Sequence, residues 1–115
     1  MENRENGEKN GVLGAKGPNL FEIAQVAALL SERETGVSYA SMCSKTRDSE
    51  VHKARLLFVG ITTSLGLSVG HIAQIIYKKA VIIGQLKADF DKKGSKTDYY
   101  TQILREAKEL LTLKQ

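Results

Sequence analysis

Lys45 and Arg47 in "SKTR", Lys53 and Arg55 in "VHKAR", and the adjacent Lys78-Lys79 in "IIYKKA" are residue types that grip phosphate oxygens. Arginine does so through a planar fork of donors and lysine as a point charge. Further along, Gln85 carries the paired donor and acceptor that match an adenine edge, and Val81 has methyls that can pack on a thymine methyl. Such a set suits duplex DNA: cations for affinity, with Gln85 and Val81 as candidates for base reading. The charge distribution agrees. Between Lys45 and Lys93 nine basic residues stand against four acidic ones, so the net charge of +4 comes entirely from the middle of the chain.

Other chemistries find little support. His52 and His71 fall on different predicted helices, and neither has a Cys or carboxylate at metal-ligand spacing. "GVLGAKG" follows no strand and lacks the GxGxxG spacing, and no GxxxxGK[ST] phosphate loop occurs. The expectation is therefore a protein that is not an enzyme, with no metal, no cofactor and no small-molecule substrate. Cys43 is the single cysteine, beside Met42, and reads as packing. It can form no intrachain disulfide, which points to the cytoplasm. No apolar run approaches the ~20 residues of a membrane span, and the polar N-terminus has no signal-peptide pattern, so no membrane partner is expected.

The elements that must position these residues are helices. The 115 residues suffice for one domain, and 42% hydrophobic with 26% charged residues is ordinary for a soluble one. Residues 1–18 have only Val12 and Leu13 as large apolars and read as a disordered tail; residues 19–115 form the domain. After Pro18, Asn19 can cap a helix in which Phe21, Ala24, Ala27 or Ala28, Ile23, Val26 and Leu30 keep helical spacing, and Gly36 ends it. Ser38 can cap a short helix carrying Tyr39 and Met42. Asp48 can cap the next, where Val51, Ala54, Phe58, Ile61 and Leu65 share one face before Gly66 stops it. Gly94 breaks the chain, and Ser95 or Thr97 can cap a last helix whose Tyr100, Ile103, Leu104, Ala107, Leu110 and Leu111 form an apolar stripe. Leu104 is expected to be buried. No segment shows sustained period-2 alternation. The fold class is all-α, a small bundle of five or six helices.

"IAQIIYKKAVIIG", residues 72–84, decides how the cations are presented. Ala73 can be the small close-packing residue of a helix-turn-helix. Ile76 follows as the first helix's last core contact, and Ile83 and Leu86 stand where a second helix packs back. Ser68 caps the unit. The helices then run over roughly 69–76 and 79–90, with Lys78-Lys79 at the turn. Tyr77 occupies a turn position that often needs φ > 0 and so favours glycine. Ala80, Val81 and Ile82 are apolar where a DNA reader usually carries polar groups; core packing is the readier account of Ile82. A single buried helix from 69 to 90 is the other reading.

The run "GVSYASMCSKTRDSEVHKARLLFVGITTSLGLSVGHIAQII" resembles the C-terminal DNA-binding domain of the bacterial replication initiator DnaA. The shared pattern is Gly36-Val37 before a short helix, the basic loop Ser44-Lys45-Thr46-Arg47, Val51 through Arg55 on the following helix, and Ser68 before the Ile72-Ala73 pair. The resemblance spans roughly residues 20–112 and implies a Trp-repressor-like helical bundle with a helix-turn-helix. It also implies that Lys45, Arg47 and Arg55 touch phosphate or an adjacent groove. The family's base-reading Asp, His and Thr residues have no counterpart in Tyr77–Ile83, and no ATPase module is present, so the resemblance is to a divergent, free-standing relative. Two functions follow as expectations. One is a DNA-binding module using Lys45, Arg47, Arg55, Lys78 and Lys79, with weak or altered base reading by Val81 and Gln85. The other is a protein-interaction module, binding a protein partner or a second copy, that kept the fold and lost sequence-specific DNA binding.

Overall fold

In the computed structural model, residues 19–94 and 97–114 are described; the expected tail over 1–18 and the candidate cap Ser95 lie outside them. Among the described residues six α-helices follow in order: α1 (Leu20–Thr35), α2 (Tyr39–Cys43), α3 (Ser49–Ser64), α4 (Val69–Ile75), α5 (Ala80–Asp89) and α6 (Asp98–Lys114). A π-helical segment, Phe90–Gly94, continues α5. Among the described residues there is no strand, so the chain is all-α as its periodicity predicts.

The helix starts are set locally. The Asn19 side chain accepts the Glu22 N–H at 2.8 Å while the Glu22 carboxylate accepts the Asn19 N–H at 3.2 Å, a reciprocal capping box. Ser38, Asp48, Ser68 and Thr97 accept N–H groups of Ser41, Glu50, His71 and Tyr100 at 2.8–3.2 Å. Each such cap is worth about 1 kcal/mol.

Helix α3 is the axis of the bundle. Val51, Ala54, Phe58 and Ile61 are buried, and so are Leu57, Val59 and Thr62 on its flanks. Helices α1, α2, α5 and α6 and the π segment all pack against it. Gly60 lets the Phe90 ring lie directly on its backbone: a Cβ there would sit 2.3–2.5 Å from ring carbons. Helix α1 covers α3 with Ile23, Val26, Ala27 and Leu30. Ser31 is buried beside them, and its hydroxyl has no hydrogen-bond partner among the described residues. Phe21, placed by its spacing with the α1 core face, is exposed and instead walls an apolar groove of about 460 Å³ with Leu20, Ala24, Tyr39, Ile75 and Tyr77. Helix α6 closes the bundle with Ile103, Ala107 and Leu111, and Arg33 pairs with Glu106 to tie it to α1. Leu104, expected to be buried, is half-buried at the edge of this seam.

The stretch at 72–84 is two helices. Helices α4 and α5 are separated by residues 76–79, which rules out the continuous buried helix from 69 to 90. The Lys78 N–H reaches back to the Ala73 carbonyl at 2.9 Å, closing α4 with Tyr77 in the left-handed region at φ 57°. Tyr77 is the one non-glycine residue with positive φ among the described residues. Ala73, Ile76, Ile83 and Leu86 are buried, as a helix pair packing back on itself requires.

Candidate nucleic-acid interface

The basic loop between α2 and α3 is built from the inside. Helix α2 is short, and the carbonyls of its last turn lack intrahelical donors. Arg55 supplies them. Its Nε donates to the Met42 carbonyl at 2.8 Å, and its two terminal nitrogens donate to Thr46 at 2.9 Å and Ser44 at 2.6 Å. Lys78, from the α4–α5 turn, donates to the Ser44 carbonyl as well, and to Cys43 at 3.5 Å. Two cations thus meet the negative end of α2, the favourable sense for a helix dipole. Burial lowers the pKa of both groups, and for Lys78 the neighbouring Arg55 charge adds to the effect.

Two expectations are corrected here. Arg55, assigned to phosphate, is only 8% exposed and holds the loop's carbonyls. Lys78 is half-buried and braces the same loop. Both side chains are spent on the loop's own backbone carbonyls.

Local hydrogen bonds stiffen the loop further. The Ser44 hydroxyl donates to the Ser41 carbonyl at 2.6 Å, and the Thr46 hydroxyl accepts the Asp48 N–H at 3.3 Å. Lys45 and Arg47 are left exposed on this fixed backbone. They line a groove of about 410 Å³ together with His52 and Arg55 of α3, Lys78 of the turn, and Ile82, Gln85, Leu86 and Asp89 of α5. The groove therefore brings together Lys45, Arg47 and Gln85.

Arg55 and Lys78 line the groove too, whereas Lys79 and Val81 do not. Lys79 precedes α5, exposed, with no side-chain cap bond of its own. Val81 is 64% exposed on the first turn of α5 outside the groove. Lys53 pairs with Glu50 at 3.2 Å and does not line the groove. Ile82, read above as core, is 40% exposed and forms part of the groove wall. In the sequence His52 is weighed only as a metal ligand. Its spacing of three residues before Arg55 would have placed both on one side of α3.

Among the described residues no group of three or more His, Cys, Asp and Glu side chains could hold a metal ion. No described helix is long and apolar enough to cross a membrane. No protein-family model, curated protein or solved structure matches the chain.

Proposed function

We propose that the chain is a DNA-binding module that holds duplex DNA between its basic loop and the start of α5, as a divergent relative of the DnaA C-terminal domain. The observation that carries this is the groove pairing Lys45 and Arg47 with Gln85, on a loop that two further cations keep rigid. Lys79 and the uncapped first N–H groups of α5 add positive potential beside it. In this function Lys45, Arg47 and Lys79 contact phosphates. Gln85 is the group positioned to read a base edge, and Val81 touches a thymine methyl. Arg55 and Lys78 serve as loop supports. The module performs no catalysis.

Titration of a labelled duplex at several salt concentrations tests the reading. Arg47→Ala and Lys79→Ala should each weaken binding to all duplexes alike and lower the magnitude of the log–log salt slope by about 0.9. Val81→Asp places a carboxylate where the DNA would lie, on an exposed first-turn site that leaves the fold intact, and should abolish binding. A folded Val81→Asp protein with unchanged DNA affinity would refute the proposal.

One observation favours a second function. Tyr77, Val81 and Ile82 leave an apolar surface exposed across the turn and the first turn of α5, a surface that suits a protein partner or a second copy. On that reading Val81→Asp leaves DNA affinity unaffected and disrupts association with protein.

A further inference from the structure

The two histidines lie on different surfaces. His71 lines the apolar groove between α1 and α4, where its Nδ1 stands 2.9 Å from the Ser68 hydroxyl. His52 lines the basic groove. Its backbone N–H is tied into α3 through the Asp48 carbonyl at 3.0 Å, and its side chain is exposed. The charged groups lining the groove with it come from every neighbouring element: Lys45 and Arg47 from the loop, Arg55 from its own helix, Lys78 from the turn, and Asp89 as the one carboxylate, from α5.

We infer that His52, as its imidazolium, is a further phosphate contact of this groove, so that DNA binding takes up a proton. The inference rests on the DNA-binding function proposed above. Imidazole is the side chain that ordinarily changes charge between about pH 5 and 8. A phosphate strand laid along Lys45 and Arg47 brings negative charge to the His52 ring, and an adjacent opposite charge favours the protonated form. By linkage, protonation of His52 then favours the strand to the same extent. Lysine and arginine side chains ordinarily stay charged throughout this range, so imidazole is the residue type in this groove that makes its charge adjustable. The affinity of the module for a polyanion becomes a function of pH.

The experiment titrates a labelled random-sequence duplex with the full chain, His52→Gln and His71→Gln at about pH 5.5 and about pH 7.5, where histidine is the side chain that ordinarily titrates, each at several salt concentrations. The full chain should bind about three- to fivefold tighter at the lower pH, the scale of one exposed charge contact. Its salt slope should be steeper there by about 0.9. His52→Gln should lose both differences, and His71→Gln should keep them. Circular dichroism of His52→Gln, whose side chain is exposed, checks that the fold is retained. Binding that shows no pH dependence in the full chain, or the same dependence in His52→Gln, overturns the inference and leaves the DNA-binding function standing. Absence of binding at either pH overturns both.

Discussion

Replacing Arg55 by alanine separates a cation that holds the protein together from one that holds a ligand. The side chain makes three short hydrogen bonds, at 2.8, 2.9 and 2.6 Å, to the carbonyls of Met42, Thr46 and Ser44. Hydrogen bonds to a charged group contribute ~1.5–3 kcal/mol each. Water can reach the exposed Thr46 end of the site and replace part of what is lost there. The net cost should therefore fall below the sum, at ~3–5 kcal/mol, since the less exposed Met42 and Ser44 carbonyls are left unsatisfied at ~1–3 kcal/mol each. That is a large share of the ~5–15 kcal/mol that stabilises a small domain. At ~4–8 °C per kcal/mol, the thermal midpoint should drop by about 12 °C or more. Arg55→Lys keeps the charge but has one donor centre in place of a fork, so most of the loss should persist. Thermal unfolding followed by circular dichroism, beside a DNA titration at low temperature, measures both effects. A midpoint within ~4 °C of the parent together with lost DNA affinity would refute the structural role and return Arg55 to the phosphate contacts.

Gly60→Ala drives a methyl into the Phe90 ring and should cost ~1–3 kcal/mol or more in chemical denaturation; in a Phe90→Ala background, where the ring is gone, that cost should largely disappear. Ser31→Ala removes a buried hydroxyl that has no partner among the described residues, so stability should stay level or rise by ~1 kcal/mol; a loss above ~1 kcal/mol would reveal a partner for it. The Tyr99 hydroxyl donates to Glu34 at 2.6 Å, which pushes the phenol up to about 12 and, with Arg33, holds the Glu34 carboxyl below its ordinary value. The unfolded phenol loses its proton near pH ~10 while the folded one keeps it, so this stabilisation is complete below pH ~10 and lost as pH rises toward 12. For Glu34 the sense is opposite: its contribution is present above the ordinary carboxylate range, near pH ~4.3, and is lost as pH falls through its lowered value. Tyr99→Phe should flatten the alkaline limb of a plot of thermal midpoint against pH, and an unchanged limb would show that the pair contributes nothing.

The local signals proved legible from residue type and spacing. Asn19, Ser38, Asp48 and Ser68 cap the helices they precede, because a cap needs only its own side chain and the next three N–H groups. The core of the α4–α5 unit was legible too. Ala73, Ile76, Ile83 and Leu86 are buried at spacings that the geometry of two crossing helices dictates. The break between those helices could only be weighed, since a tyrosine at φ 57° contradicts the local preference for glycine and is held there by the packing on either side. The fates of the cations were beyond the sequence. Lys45, Arg47, Arg55 and Lys78 look alike as residue types and all line the groove, yet two are left exposed and two serve carbonyls of the α2 end. Which way a long charged side chain turns depends on where unsatisfied carbonyls come to lie, and those belong to residues 9–13 positions away from Arg55 and 34–35 from Lys78. Ile82 and Phe21 show the same limit: periodicity says which face of a helix is apolar, and only the placement of the neighbouring helices decides how much of that face is covered.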